Sequence, residues 1–352
     1  MKRRDLLQTL AWTPLLAAGA SRADTGASAA GSLVTAFGTL PGPTRITRVF
    51  ATGAPAGVLV YVLAPDKLLG WPSQLDDVAR RLLPNVAADL PHLGRLSGRG
   101  STVTTEALLA LRPDLVLDAG TVDPTHRSGA ERVWRQTGLP YALIDGRLAD
   151  TPAQLRETAR LLGAAKRGEQ LANEAQRLLD LTHEVLAGIS DAERPRVYYG
   201  RGPDGLETGL QDSINMEAIE LAGARNVAAQ AGRGGLTQVS MEQILAWNPE
   251  VVLTQSPEFA WHVHRDPLWR NVAAARQRRV HLAPRFPFGW LDGPPGINRI
   301  LGLPWLLSKL HPGRHPALAP TTTRDTLDAL HRLFYGSALP DGVLDDPANE
   351  AA

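Results

Sequence analysis

Several polar side chains in this chain directly follow runs that predict buried strands. Tyr199 and Arg201 follow one such run, and Arg285 follows another. In open α/β sheets, ligands bind beyond the carboxyl ends of the strands, and the guanidinium fork of arginine suits carboxylate and oxyanion groups. Arg95 and Arg99 are weaker candidates for the same gap. These residues predict a site for a ligand that carries anionic groups.

Large aromatic side chains occupy similar positions at predicted strand exits. They are Trp71, Trp261, Phe286, Phe288 and Trp290. A flat ring at such a place can stack on a porphyrin, a corrin or a catecholate, and Trp290 is the strongest candidate. The alternative for each ring is ordinary packing beneath a loop.

Other chemistry is weakly indicated. His262 and His264 lie on one predicted loop, but two histidines do not complete a metal site, and whether they contact a ligand stays open. The chain contains no cysteine, no GxSxG nucleophile elbow and no HExxH pair. An enzyme built on Asp292 or Glu207 as a general base is the alternative. We expect a binding protein with no intrinsic cofactor and no catalytic residues.

One segment organises the elements that carry these residues. Residues 103–117, VTTEALLALRPDLVL, recur at 239–253 as VSMEQILAWNPEVVL. In each copy a hydroxyl residue can cap a short helix, and a glutamate, Glu106 or Glu242, lies in its first turn. A wholly apolar run follows, which is typical of a strand buried on both faces of a parallel sheet. The repeat predicts two similar halves.

The predicted fold class is α/β, with two lobes of mostly parallel sheet joined by one long rigid helix and a ligand cleft between the lobes. A length of 352 residues fits two domains. The predicted segments are a twin-arginine signal peptide (1–23), a flexible lead-in (24–43), an N-terminal lobe (44–163), a connecting helix (164–190), a C-terminal lobe (191–312) and a C-terminal helix and tail (313–352).

The N-terminus predicts export. Lys2-Arg3-Arg4 is a twin-arginine start, the apolar stretch 6–20 is too short to span a bilayer, and small residues precede a cleavage site after Ala23. The expected product is soluble and periplasmic. A formal net charge of +1 gives no reason to expect nucleic acid as a partner.

Residues 44–312 resemble the periplasmic substrate-binding proteins of ABC importers for iron–siderophore complexes, haem and cobalamin. The resemblance depends on the two repeated units, the long helix, the segment Asp266-Pro267-Leu268-Trp269 and the stretch PFGWLDGPPGINRILGLPWL at 287–306. It implies a receptor that binds a chelate between its lobes and docks on a membrane permease. It also implies that Glu106 and Glu242 pair with arginines of that permease.

These observations predict a receptor that captures a metal-containing small molecule, such as an iron–siderophore, haem or cobalamin-like chelate. Its expected ligand contacts are Trp71, Tyr199, Arg201, Trp261, Arg285, Phe288 and Trp290. The arginines also leave open a metal oxyanion such as molybdate or tungstate. A third alternative is an exported α/β hydrolytic enzyme.

Overall fold

A computed structural model describes residues 32–97 and 100–344. The predicted signal peptide, residues 24–31 of the lead-in and Arg99 lie outside these residues. The strands are β1 (Val34–Phe37), β2 (Val49–Ala51), β3 (Leu115–Gly120), β4 (Tyr141–Asp145), β5 (Arg196–Tyr199), β6 (Glu207–Gly209), β7 (Arg225–Asn226), β8 (Leu236–Gln238), β9 (Val251–Thr254) and β10 (Val280–Leu282).

The helices alternate with these strands along most of the chain. They are α1 (Ala54–Leu63), α2 (Asp77–Leu82), α3 (Asn85–Ala88), α4 (Thr105–Ala110), α5 (Pro124–Thr137), α6 (Thr151–Leu161), α7 (Ala165–Leu186), α8 (Glu217–Leu221), α9 (Met241–Trp247), α10 (Pro257–His262), α11 (Ala273–Arg276), α12 (Arg299–Leu310) and α13 (Pro320–Tyr335). No helix within the described ranges is both long enough and apolar enough to cross a bilayer.

The first lobe is built on a sheet with the order β1-β4-β3-β2. Strands β2, β3 and β4 are parallel, and their apolar runs are buried, as the sequence predicts. Strand β1 pairs antiparallel with β4, so the prediction of a flexible lead-in is wrong for residues 34–37. The edge of β4 supplies the partner for this short strand, and the ring of Phe37 packs edge-on against Tyr141, with centroids 6.2 Å apart.

The second lobe repeats the arrangement with a parallel sheet in the order β10-β9-β5-β7. Strand β7 is only two residues long, because the Asn226 side chain accepts a hydrogen bond from Ala228 N and turns the chain out of the sheet. Strands β6 and β8 pair antiparallel in a small separate sheet. In the first lobe, residues 68–70 make one bridge among the described residues, from Leu68 to Val49.

The two lobes are joined by helix α7, which lies within the predicted connecting segment 164–190. A second link is the buried Arg299, whose guanidinium donates to Gly146 O of the first lobe at 2.9 Å and to Glu217 of the second at 2.8 Å. Glu217 in turn accepts a hydrogen bond from Leu148 N at 2.7 Å. The predicted class, two α/β lobes with mostly parallel sheets, is confirmed.

Two buried histidines in the C-terminal region predict a pH-dependent stability. His311 Nε2 donates to Ala222 O at 2.9 Å, and His331 Nδ1 donates to Ser337 O at 2.8 Å. Burial lowers the pKa of both imidazoles below the ordinary value of 6.5. For His331 the hydrogen bond to Ser337 and the nearby Asp328 oppose the lowering of the pKa without reversing it.

We therefore expect the free energy of unfolding to fall as the pH drops below about 6.5, because the unfolded chain then binds protons that the buried imidazoles do not. The loss ends once the pH has passed the lowered pKa values of the folded state. Urea unfolding at several pH values measures this slope in the parent and in His331→Gln. An equal slope in both proteins would contradict the contribution of His331.

Candidate functional site

A pocket of about 450 Å³ lies between the carboxyl edges of the two sheets. We call it the interlobe pocket; this volume is typical of small-molecule sites. The first lobe lines it with the start of α1, with Ser97 and with Asp118. The second lobe contributes Arg201, Asn215 and Asp292. A ligand in this pocket would contact both lobes.

The first-lobe wall is organised around Asp118, near the end of β3. Its side chain is buried and accepts hydrogen bonds from Ser97 Oγ at 3.1 Å, from Tyr141 Oη at 3.0 Å and from Ala119 N at 2.9 Å. Ser97 also lies 3.0 Å from Thr52 Oγ1. These donors hold the carboxylate at a fixed place on the pocket wall.

The start of helix α1 packs against the hydrogen-bond network of Ser97 and Asp118. Pro55 occupies the first turn of the helix, where its missing N–H leaves no bond unmade. A Cβ on Gly53 would come within 2.8 Å of Ser97 Oγ, so only glycine lets the 95–97 loop approach the helix at this distance. The N-terminus of α1 therefore reaches the pocket wall beside Ser97.

The second-lobe wall is organised around Asp292, which is also buried. Its oxygens accept hydrogen bonds from Tyr199 Oη at 2.6 Å, from Asn215 Nδ2 at 2.7 Å and from Gln255 Nε2 at 3.3 Å. The Arg201 Nε atom forms an ion pair with Asp292 at 2.9 Å. The sequence analysis named Asp292 only as a general base for an enzyme, whereas the structure makes it the centre of this wall.

In both walls a tyrosine hydroxyl donates a hydrogen bond to the buried aspartate. Burial and the charge of Asp292 raise the pKa of Tyr199 well above its usual 10.0. Burial and the charge of Asp118 likewise raise the pKa of Tyr141. Both phenols therefore keep their protons at neutral pH and act as donors. Each lobe thus presents a carboxylate in a fixed position to the interlobe pocket.

The position of Arg201 differs from the sequence expectation of an arginine paired with the ligand. Its guanidinium contacts Glu207 at 2.5 Å as well as Asp292. Burial alone would lower the pKa of Arg201, but these two carboxylates outweigh it and raise the pKa. In this structure the charge of Arg201 is already balanced, although its side chain lines the interlobe pocket. Direct pairing of Arg201 with a ligand stays a prediction.

Three other predicted contacts lie together in a neighbouring cavity of about 350 Å³, which we call the side pocket. Its walls include Trp71, Phe288 and Arg285. The Trp71 and Phe288 rings are largely buried and pack against each other, with centroids 5.6 Å apart. The structure thus brings these three residues together beside the cleft.

The structure places two other predicted tryptophans away from the interlobe pocket. Trp290 is 1% exposed and belongs to the main hydrophobic core. Trp261 is 59% exposed on the surface of the second lobe, where the Arg265 guanidinium stacks on its ring at 4.1 Å. His262 is bonded to Asp266 at 3.2 Å. Neither ring lines the interlobe pocket, and Trp261 instead lines a shallow surface cavity with His262 and Glu258. Ligand contact by either tryptophan stays a prediction.

No group of three or more His, Cys, Asp or Glu side chains in residues 32–97 and 100–344 is arranged to hold a metal ion. Four residues of the pocket walls are not predicted from the sequence: Ser97, Asp118, Tyr141 and Asn215. For Asp118 a signal existed, because a carboxylate follows three buried residues of a predicted strand. The other three come from separate segments, and only the packed sheets bring them to the cleft.

Glu106 and Glu242 occupy equivalent positions in the two lobes. Each is the second residue of its helix, α4 or α9, and each is exposed. Thr104 and Ser240 cap these helices through hydrogen bonds to backbone N–H groups. Local hydrogen bonds lower the pKa of both glutamates, those of the backbone being the largest cause for Glu106 and that of Ser240 for Glu242. The structure therefore presents one charged carboxylate from each lobe.

Residues 95–285 match the sequence model of a family described as periplasmic binding protein. The fold is similar to an ABC transporter solute binding protein from Sulfurospirillum deleyianum, with a TM-score of 0.78 and 31% identity over 86% of this chain and 94% of that one. The match therefore includes both lobes.

Two relatives with named ligands are also similar. The molybdate-binding protein MolA of Haemophilus influenzae is 28% identical over 70% of this chain and 73% of its own length. The structure of MolA bound to molybdate covers 86% of this chain and 96% of that one, with a TM-score of 0.69 and 25% identity. A cobalamin-binding protein of Halobacterium salinarum is 33% identical over 45% of this chain and 42% of its own length.

Proposed function

The chain belongs to the periplasmic binding protein family, and we propose that it captures a metal-containing small molecule between its lobes. It is the solute-binding component of an ABC importer. The observation that carries the ligand proposal is the interlobe pocket, whose two walls each hold a buried, fully hydrogen-bonded aspartate. A small molecule held here would meet polar side chains of both lobes, which include Ser97, Asp118, Arg201, Asn215 and Asp292.

Delivery requires a partner in the membrane. We propose that the protein is exported by its twin-arginine segment, works as a soluble periplasmic receptor and docks on the permease of the importer. Glu106 and Glu242 would make the contact, since they offer one exposed carboxylate per lobe to a permease with two equivalent halves. Their helix-terminal positions support this role, because the carboxylates stay charged and accessible.

Binding without catalysis fits the contacts of Asp292. A general base needs a carboxylate oxygen that is free to reach the substrate. The oxygens of Asp292 are already bonded by Tyr199, Asn215 and Gln255 and paired with Arg201. This arrangement favours a fixed acceptor in a receptor over a hydrolytic base.

A second candidate ligand is a metal oxyanion such as molybdate or tungstate. The relative that binds molybdate favours it, and so does the N-terminus of α1 on the pocket wall. Helix N-termini bind anions through free backbone N–H groups and the helix dipole. Arg95 also lines this pocket and adds positive charge beside the helix.

Protein purified from its own periplasm provides the test. We expect one metal atom per chain by mass spectrometry, with a visible absorption band if the metal is held by a chromophoric chelate. Molybdenum or tungsten without such a band would support the oxyanion. Protein that is purified without a bound metal and that binds neither chelates nor oxyanions in calorimetry would contradict the proposal.

A variant of the first-lobe wall makes this test specific. Asp118→Ala removes the acceptor that Ser97, Tyr141 and Ala119 hold in place, so we expect at least tenfold weaker binding of the metal species, equivalent to about 1.4 kcal/mol. Asp180→Ala, an exposed aspartate on α7, is the matched control and should bind like the parent. Equal affinities of the two variants would remove Asp118 from the site.

A further inference from the structure

We infer that Arg299 is a positioning residue of the interlobe pocket, which fixes the separation of the two walls from behind without touching the ligand. The effect on ligand binding rests on the proposed function. Arg299 is the first residue of α12, its side chain is buried, and it does not line the interlobe pocket. Its four hydrogen bonds within the described residues all go to segments that carry the pocket walls or adjoin them.

The contact of Arg299 with the first lobe lies directly behind the pocket wall. Its Nη2 atom donates to Gly146 O at 2.9 Å. Gly146 N in turn donates to Gly120 O at 2.8 Å, and Gly120 lines the interlobe pocket at the end of β3. A Cβ on Gly146 would come within 2.7 Å of Gly120 Cα, so the two segments are in close backbone contact. The guanidinium is therefore connected to the first-lobe wall through Gly146 alone.

The contacts of Arg299 with the second lobe reach the opposite wall. Its Nη1 atom donates to Ile214 O at 2.8 Å, and its Nε atom donates to Gly296 O at 3.0 Å. Ile214 lines the interlobe pocket, and Gly296 directly follows Pro295, which also lines it. A Cβ on Gly296 would come within 3.2 Å of Pro55 Cα, so this loop packs against the start of α1 in the first lobe. One side chain thus holds segments of both walls.

Glu217 completes the link between the lobes. Its Oε2 atom accepts from Arg299 Nη1 at 2.8 Å, and its Oε1 atom accepts from Leu148 N of the first lobe at 2.7 Å. Burial lowers the pKa of Arg299, but the charges of Glu217 and Asp292 oppose this, and arginine keeps its proton at neutral pH. Because the donors of a guanidinium lie in a rigid planar fork, these bonds restrict the rotation of one lobe against the other.

A fixed separation of the walls raises the affinity for a ligand that contacts both lobes. When the binding-competent arrangement is only partly populated, the apparent dissociation constant is the intrinsic constant divided by that population. We therefore expect loss of the Arg299 restraint to weaken binding at least tenfold, which corresponds to a competent population of about one tenth.

Two variants remove the restraint in different ways. Arg299→Lys keeps a positive charge beside Glu217, but a single ammonium group cannot reach all four acceptors. Arg299→Met combined with Glu217→Gln removes both charges, and an apolar replacement of a buried ion pair is often neutral for stability. Arg135→Met combined with Glu131→Gln makes the same changes at an ion pair of α5 whose side chains are 70% and 41% exposed, and it is the matched control.

The distance between the lobes is the decisive measurement. The chain has no cysteine, so an introduced pair of cysteines can carry spin labels. Ala110→Cys and Ala246→Cys place them at equivalent, exposed positions of the repeated unit, one in each lobe. In double electron–electron resonance without a probe molecule, we expect one narrow distance distribution in the parent and the control, and a broader distribution in both Arg299 variants.

Binding is measured by calorimetry with molybdate, ferric citrate and cobalamin as probes. A probe that binds the parent should bind the two Arg299 variants at least tenfold more weakly and the control within twofold. At saturation the probe should also restore the narrow parent distribution in the variants, because it contacts both walls and selects the competent arrangement.

The outcomes separate this inference from the proposed function. A narrow, parent-like distribution in both Arg299 variants without a probe would overturn the positioning role. A broad distribution that a saturating probe does not narrow would also overturn it, since Arg299 would then maintain the fold of the walls and not their separation. If none of the three probes binds the parent, the proposed function is contradicted, and the distances measured without a probe decide the positioning role alone. Urea unfolding of each variant verifies that the distances belong to folded protein.

Discussion

Replacement of Glu106 and Glu242 together by alanine is expected to abolish uptake of the ligand while leaving its dissociation constant unchanged. Both carboxylates are exposed second residues of equivalent helices, and neither lines the interlobe pocket or the side pocket. Their helices keep the caps Thr104 and Ser240 in the variant, so the fold should be retained. What is lost is the charge that each lobe presents to the permease.

Transport assays in cells measure the uptake of the ligand, and calorimetry on the purified protein measures its dissociation constant. Each single variant should retain part of the uptake, because the other lobe can still dock. Asp180→Ala combined with Asp325→Ala removes two exposed carboxylates from other helices, α7 and α13, and is the matched control. Normal uptake by the Glu106/Glu242 double variant would exclude these residues from docking.

Replacement of Trp290 by alanine is expected to lower the free energy of unfolding by about 3–5 kcal/mol, the usual cost of deleting a buried aromatic ring. The indole is 1% exposed, and its residue packs against α12, where a Cβ on Gly302 would clash with the Trp290 carbonyl. Trp290 N also donates to Pro284 O at 3.0 Å, which closes the loop that carries Asp292. Ligand affinity would then fall only indirectly, through that loop.

A second variant, Trp290→Phe, separates the loss of the indole N–H from the loss of apolar volume. The buried indole N–H has no hydrogen-bond partner among the described residues, and phenylalanine removes this unpaired donor while it keeps most of the apolar volume. Trp290→Phe should therefore lower the free energy of unfolding, measured with urea, much less than Trp290→Ala does. If Trp290→Ala weakens ligand binding at least tenfold without loss of stability, the original prediction of a stacking contact is correct and the core assignment of the ring is wrong.

The sequence determined the elements whose signals are local. The repeated unit specified a capped helix, a first-turn glutamate and a buried strand in each lobe, and all of these are present. The long helix α7 likewise follows its apolar periodicity. Such features depend on neighbours within a few residues, so the two-lobed parallel fold could be inferred from pattern alone.

Only the tertiary structure decided which side chains meet at the cleft. Tyr141 reaches Asp118 because β3 and β4 are adjacent, and Tyr199 reaches Asp292 across 93 residues of chain. Strand-exit position alone could not separate Trp290, which is buried in the core, from Trp71, which lines a pocket. Burial depends on what packs over a residue from distant segments, and this information is absent from its local sequence.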